Sequence, residues 1–437
     1  MINAIMLNKN RLTSLMHTLT NNTVFGDLLS PVQRALTRIR PSTAFGRVLS
    51  MEAFISLGVL RHLQGTQVLR EQVQQTLHLD IEAVDRPPLA RSTWSDAPAS
   101  RERQAQLRQV VGALRLQAAQ TLPDRLAQIP GLGDRPVRAV DGVYQPESAH
   151  FRRCIPRDGG EDNPKGHLLL AFQNLRIGVI DDVITDTRSQ HELTCLRAYE
   201  ERPDALTRER RTLWVADRGF IAAAFWDAKK RALGATLITR MKSNLVIDST
   251  EGRPIEPDPI NDVVEQDLAI SLTSSKALWR RIRYRTPAGE RIELLTNDFS
   301  LQPGVVAFLY GRRWEQEKSH DQWKNDFAAG KAWGKSPVAI ANQADLAIIT
   351  TLLVRLLLAR RLDSDEDQKV LKKQDRRQQK LADHKVGTQR PDWSGAIYRH
   401  TSKLSRQVLR FFKLAFLKPA SAALYQRQLK PLLQAYL

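Results

Sequence analysis

The residues best suited to chemistry lie in one stretch, Leu309-Tyr310-Gly311-Arg312-Arg313-Trp314-Glu315-Gln316-Glu317-Lys318-Ser319-His320-Asp321-Gln322-Trp323-Lys324. It contains few helix breakers, and its spacing predicts one helix over 304–327. With Tyr310 at zero and ~100° per residue, Arg313, Glu317 and Lys324 all fall within about 60° of it. One face would then present a phenol, a guanidinium, a carboxylate and an ammonium over several turns. Asp321 shares that face as a rival carboxylate, whereas Glu315 falls on the far side. Periodicity alone leaves a plainer reading open, because Arg313 and Glu317 are also an ordinary i,i+4 ion pair worth a few tenths of a kcal/mol.

A carboxylate beside cations becomes useful when other carboxylates join it. Hard divalent ions such as Mg²⁺ or Mn²⁺ prefer oxygen ligands. Two such ions about 4 Å apart can activate an attacking hydroxyl and stabilise a leaving oxygen at a phosphodiester. Two upstream aspartates have suitable local contexts. Val137-Arg138-Ala139-Val140 is a short β-like run ending in Asp141-Gly142, and Thr212-Leu213-Trp214-Val215-Ala216 is an apolar strand that delivers Asp217-Arg218-Gly219. Asp-Gly after a strand is also a common turn, so Asp141 alone is ambiguous. Ligands of open α/β sheets gather at the carboxyl ends of strands, which favours Asp217. Asp181 and Asp182 are further carboxylates, in the middle of a β-rich run.

The spacing Tyr310, two residues, Arg313, three residues, Glu317, six residues, Lys324 resembles the Y-R-E-K signature of the bacterial insertion-sequence DDE transposases. The resemblance extends over about Val137 to Trp333. It implies that Asp141, Asp217 and Glu317 form a catalytic, metal-binding triad holding Mg²⁺ or Mn²⁺, two ions in all. It implies that Tyr310, Arg313 and Lys324 bind DNA, a guanidinium gripping phosphate with two parallel bonds and Lys adding a point charge. The chain departs from the hairpin-forming members of that branch. Leu294-Leu295-Thr296 is present, but the preceding Ile292 and Glu293 are not aromatic; Trp279, in an earlier strand, is the candidate substitute for stacking on a flipped base.

The elements that must position these residues suggest an α/β RNase H-like catalytic core with a β-rich insertion, preceded by an all-α N-terminal region and followed by C-terminal helices. Residues 1–130 read as a helical DNA-binding region, with helices over Leu28 to Arg38, Met51 to Leu63 and Gln67 to Leu77. Ser50 and Thr66 are candidate caps. The last two helices have the outline of a helix-turn-helix or a plain hairpin, and Arg61, Arg70 and Gln75 are candidate DNA contacts. Ser92 to Ser100 reads as linker and Arg101 to Leu122 as helix. Residues 131–234 read as the first part of the core. Residues 235–300 read as the insertion, with strands at Ala235 to Met241, Leu278 to Arg285 and Arg291 to Thr296. An acidic loop holding Pro254, Pro257 and Pro259 lies among them. Residues 301–361 read as the second part of the core, and 362–437 as a C-terminal helical region.

The totals agree with a polyanion partner. The 437 residues carry a formal charge of +19 with 42% hydrophobic and 26% charged residues. That charge favours nucleic acid binding through a salt-sensitive, sequence-independent term. Two cysteines, Cys154 and Cys195, exclude a disulfide framework. Met1 to Thr20 lacks the continuous apolar core of a signal peptide, and Leu346 to Leu358 is short for a membrane span and fits a buried helix. A cytoplasmic, nucleoid-associated protein without membrane contact is expected. Its partners would be double-stranded DNA, as transposon ends and as target, and a second copy of the chain in a homodimer on DNA. The reaction implied is metal-dependent cleavage of transposon ends and strand transfer into target DNA. An RNase H-like nuclease without strand transfer, or an inactive transposase-derived DNA-binding protein, are the alternatives.

Overall fold

The structure is a computed structural model. It describes residues 24–39, 49–64, 91–146, 166–186, 191–200, 210–286, 289–321, 323, 327, 329–334 and 336–362. In chain order these form α1 (Val24–Leu36), α2 (Met51–Gln64), α3 (Arg91–Asp96), α4 (Arg101–Thr121), β1 (Val137–Pro146), β2 (Gly166–Asn174), β3 (Val179–Asp186), α5 (Glu192–Glu200), β4 (Leu213–Ala216), α6 (Ala223–Leu233), β5 (Thr236–Arg240), β6 (Ile247–Gly252), β7 (Val264–Leu272), β8 (Leu278–Arg285), β9 (Arg291–Thr296), α7 (Pro303–Arg312), α8 (Trp314–Asp321) and α9 (Pro337–Leu362). Two compact units divide the chain: 1–122 with 148–151 and 321–437, and 123–147 with 152–320.

The first unit is helical among its described residues. Ser50 caps α2, its Oγ accepting the Ala53 N–H at 3.1 Å, as its position predicts. Ser92 to Ser100 is not a linker: it holds α3 and a short 3₁₀ turn, and Trp94 is buried against Phe54. The Ser/Ala/Pro composition conceals that one aromatic anchor. Helix α9 is long and apolar enough to cross a membrane by length and composition. It is nevertheless buried along most of its length and packs on α2 and α4, as a core helix does. Arg61 is turned inward, its guanidinium 4.1 Å from the Trp333 ring centroid, so it is not a surface contact for DNA. Arg70, Gln75, Thr66 and the region 363–437 lie outside the described residues.

The second unit is built on one nine-stranded sheet in the order β3-β2-β1-β4-β5-β9-β8-β7-β6. β1, β2 and β3 are antiparallel neighbours, while β1, β4 and β5 run parallel. This is the RNase H-like arrangement expected from the sequence. Period-2 alternation sorts the side chains to two faces. Ala139, Leu213, Val215 and Ile238 pack with Val305, Val306 and Leu309 of α7 on one face. Val140, Trp214, Ala216 and Leu237 pack with Leu196 and Tyr199 of α5 and Trp226 of α6 on the other.

The insertion does not fold apart from this sheet. β9 pairs with β5, and β8, β7 and β6 follow in turn. β6 and β7 flank the proline-rich stretch that the sequence suggests is loop. β6 is exposed over nearly its whole length, so no apolar alternation marks it. β7 carries a charge inward, Asp267, which a patterning argument reads as a break.

That inward charge anchors the next element. Arg280 grips Asp267 with two bonds, at 2.8 and 2.7 Å, and donates to the Leu301 carbonyl at 2.7 Å. Arg135 holds Asp298 at 2.7 Å. Both contacts fix the segment leading into α7. Gly304 opens α7 against the Ile260 carbonyl, where a side chain would collide, and its N–H donates to Asn261 at 2.9 Å. Removing one partner of a buried ion pair leaves the other charge uncompensated, at about 3–5 kcal/mol. Asp267→Ala should therefore lose stability of that order in urea unfolding. Asp267→Leu combined with Arg280→Met should recover most of it; equal losses in both variants would show that the charge pair is not what holds this corner.

Candidate active site

The parallel register of β1 and β4 pairs Val140 with Ala216. The next residues on the two strands are Asp141 and Asp217, so the fold sets them side by side at about one strand spacing, ~5 Å. By alternation both belong to the face that α7 covers. β1 does not turn at Asp141-Gly142, as a short β run ending in Asp-Gly suggests. It continues to Pro146 along β2, with Asp141 opposite Ala171. Asp217 precedes a 3₁₀ turn, Arg218–Phe220, without capping it through its side chain, which leaves its carboxylate available.

The predicted helix over 304–327 is broken. α7 ends at Arg312, and α8 begins at Trp314. Around Arg313 the bonding switches from i→i+4 to i→i+3, with Arg313 N–H to Tyr310 at 3.0 Å and Gln316 N–H to Arg313 at 2.9 Å. Gly311, a weak helix former, stands just before the break. Gln316 is fully buried and donates to the Ala171 carbonyl at 2.8 Å, which locks α8 over the strand position facing Asp141. Arg313 and Glu317 are thereby brought to the carboxylates and to each other, Nη2 to Oε1 at 2.7 Å. Tyr310 lies under the Arg313 guanidinium, 5.7 Å from its ring centroid. Lys324 and the side chain of Asp321 lie outside the described residues.

Electrostatics tie the group together. Burial pushes the Asp141 carboxyl up to about 6; Arg313 and the Gly142 N–H pull it down, and Asp217 and Glu317 push it further up. Burial lowers the Arg313 guanidinium, but Tyr310, Glu317, Asp141 and Asp217 together raise it overall. The Tyr310 phenol is raised, chiefly by burial. His320 Nδ1 stands 3.8 Å from Asp141 Oδ2.

A further carboxylate joins them that sequence reasoning did not single out. Glu192, first residue of α5, is pushed up to about 7 by burial and then by Asp141 and Asp217, against the Gly142 N–H that lowers it. No motif marks Glu192; the only trace is that a glycine follows each aspartate closely. Gln316 and His320 were equally unmarked, although both lie within the chemically richest stretch. Asp181 and Asp182 are excluded as rivals. Asp181 pairs with Arg138 at 2.8 Å, and Asp182 accepts from the Tyr199 hydroxyl. Trp279 is fully buried, its Nε1 bonded to Asp227 at 3.1 Å, so it presents no face to a base. Trp323 is packed in the first unit, as expected.

The donor set is all oxygen at Asp141, Asp217 and Glu317, the chemistry a hard divalent cation requires. The arrangement itself is not closed. Among the described residues no three His, Cys, Asp or Glu side chains are placed to hold a metal ion, and Glu317 is engaged by Arg313. The two aspartates are positioned together, while the Glu317 carboxylate is paired with the Arg313 guanidinium.

Residues 135–353, half of the chain, match the family described as "Transposase DDE domain". The chain belongs to that family. It is one of transposases, enzymes that act on DNA and use divalent metal ions, and its match spans Asp141, Asp217 and Glu317. Among solved structures the chain is similar to a piggyBac transposase synaptic complex with hairpin DNA, at 10% identity and TM-score 0.38, covering 80% of this chain and 74% of that one. A likeness that loose places no residue. No curated protein matches the chain.

The raised carboxyls make the metal-free DDE transposase pH-sensitive. A group whose folded pKa lies above its unfolded value favours folding at low pH, and the benefit is lost as pH rises through the folded value. Asp141 and Glu192 therefore tax the fold increasingly from about pH 4 to about pH 7. With chelator present, Asp141→Asn and Glu192→Gln should each raise the melting temperature relative to wild type at pH 8. The difference should vanish near pH 4; a pH-independent difference would contradict the shifts.

Proposed function

We propose that this transposase breaks and joins DNA at Asp141, Asp217 and Glu317, as a cut-and-paste enzyme of the insertion-sequence type. The observation that carries the reading is the β1–β4 register, which sets Asp141 and Asp217 side by side beneath the segment bearing Arg313 and Glu317. Asp141, Asp217 and Glu317 would hold Mg²⁺ or Mn²⁺, two ions. Bound there, the ions supply a hydroxide-like nucleophile at neutral pH and stabilise the leaving oxygen. Arg313 holds the scissile phosphate, with its charge placed where the non-bridging oxygens become most negative. Tyr310 donates a hydrogen bond to a neighbouring phosphate, and Lys324 adds a cation on the same side.

In the first step water attacks the phosphorus at the transposon end, the P–O3′ bond on its far side breaks, and a free 3′-hydroxyl is left. In the second, that hydroxyl attacks a phosphodiester of the target, forming one P–O bond as another breaks, with no external energy source. Double-stranded DNA, as ends and as target, is the partner, and two paired ends call for a homodimer on DNA. The N-terminal helical region is assigned to end binding. The setting is the cytoplasm, at the nucleoid.

The Arg313–Glu317 ion pair favours one other reading, a transposase-derived DNA-binding protein in which the third ligand stays sequestered. Mn²⁺-dependent nicking of the flanking DNA separates the two. Under the enzymatic reading Asp141→Asn, Asp217→Asn and Glu317→Gln should each lose about a thousandfold in end cleavage, about 4 kcal/mol of transition-state stabilisation, with end binding retained in a shift assay. Wild-type cleavage in any of them removes that residue from the site. Arg313→Ala should reduce the slope of log affinity against log salt by about 1; an unchanged slope means that it touches no phosphate.

A further inference from the structure

The carboxylate of Glu192 occupies a particular gap. On β1 the side chains of Ala139 and Asp141 belong to one face, and those of Val140 and residue 142 to the other, where α5 packs. Residue 142 is glycine, and the space its Cβ would fill is taken by Glu192: Oε1 would overlap it, with Cδ at 2.8 Å and Cγ at 3.1 Å. The other oxygen, Oε2, stands 3.4 Å from where a Cβ on Gly219 would be. The Gly142 N–H donates to Asp141 Oδ1 at 3.0 Å. One side chain, rooted at the start of α5, thus reaches through the bare backbone next to both aspartates, one oxygen against each glycine.

We propose that Glu192 is a positioning residue that braces the Asp141-Gly142 and Asp217-Arg218-Gly219 segments against each other, so that the two aspartates keep the separation ion binding requires. The proposal rests on the reading of Asp141 and Asp217 as the ion-binding pair. What Glu192 contributes is shape, filling the space beside Gly142 and Gly219, while its charge is secondary. Two aspartates on neighbouring strands repel, and β4 is only four residues long, ending at Ala216. A rigid spacer on the side away from the ions limits the spreading that this repulsion would cause.

The test is Mn²⁺ binding by the full chain, measured by titration calorimetry, with melting curves to check folding. Groups that orient ligands from behind typically alter metal affinity 10–100-fold. Glu192→Ala should weaken Mn²⁺ binding about tenfold, while Glu192→Gln, which keeps the shape, should stay near wild type. Gly142→Ala should reproduce the loss by displacing the carboxylate, and adding Glu192→Ala to it should cost nothing further. Equal losses in Glu192→Gln and Glu192→Ala would overturn the brace, because the charge itself would then be what binds. Should Glu192→Ala fail to fold, Gly142→Ala decides, and wild-type affinity in it overturns the proposal. Asp141→Asn is the control: if it loses affinity and Glu192→Ala does not, only the brace is wrong. If Asp141→Asn also binds as wild type does, the ion-binding pair falls and the brace with it.

Discussion

Two like charges held on adjacent parallel strands are the constraint on which the rest of this fold depends. At about 5 Å and an effective dielectric of about 20, two unit charges repel by roughly 3 kcal/mol. The register Val140 with Ala216 leaves Asp141 and Asp217 no freedom to avoid each other. What holds them is the sheet itself, cross-bonded on both sides of β1 and clamped between two apolar layers, one centred on Trp214 and Phe172 and the other on Val215 and Val305. Burial first, and then the neighbouring carboxylates, push the Asp141 carboxyl up to about 6 and that of Glu192 to about 7.

Arg313 acts in the opposite sense. It is the cation that the Asp141 carboxyl meets, and it also pairs with Glu317 at 2.7 Å. Its place follows from the break between α7 and α8. At that break the bonding tightens to i→i+3, and the Gln316 bond to Ala171 fastens α8 to β2 opposite Asp141. The guanidinium therefore does two incompatible things for Glu317. It neutralises that carboxylate within a crowded acidic site, and it withholds it from any ion shared with the aspartates.

The sequence made the site legible where its signals are local. Arg313 and Glu317 lie within one turn, so their pairing survives a helix break that the broader 304–327 reading missed. Asp217 was legible because an apolar strand aims it. Asp141 was found for a weaker reason, since Asp-Gly looks like a turn and the strand in fact runs on through Gly142. Glu192 was illegible because its meaning depends on two glycines, one 50 residues upstream and one 27 residues downstream, that only the fold brings to it. The same physics hid β7, although not β3, whose β-rich run is legible despite its aspartates. Asp181 and Asp267 look like interruptions in strands until their arginines, Arg138 and Arg280, arrive from elsewhere in the chain. An exposed strand such as β6 offers no apolar rhythm, and one buried aromatic, Trp94, was hidden in a stretch that reads as linker.

Those long-range pairs also explain why the insertion is part of the machinery rather than an appendage. β9 is hydrogen-bonded to β5, and β5 to β4, whose next residue is Asp217. From the same block Arg280 holds the carbonyl of Leu301, and Asn261 receives the N–H of Gly304, so the insertion sets where α7 begins. α7 in turn delivers Tyr310 and leads into Arg313. The insertion is therefore connected to the acidic site along two paths, through the sheet to Asp217 and through α7 to Arg313. Both routes end on groups that contact each other electrostatically, so a displacement that moved one without the other would change the separation of opposite charges at the centre of the site.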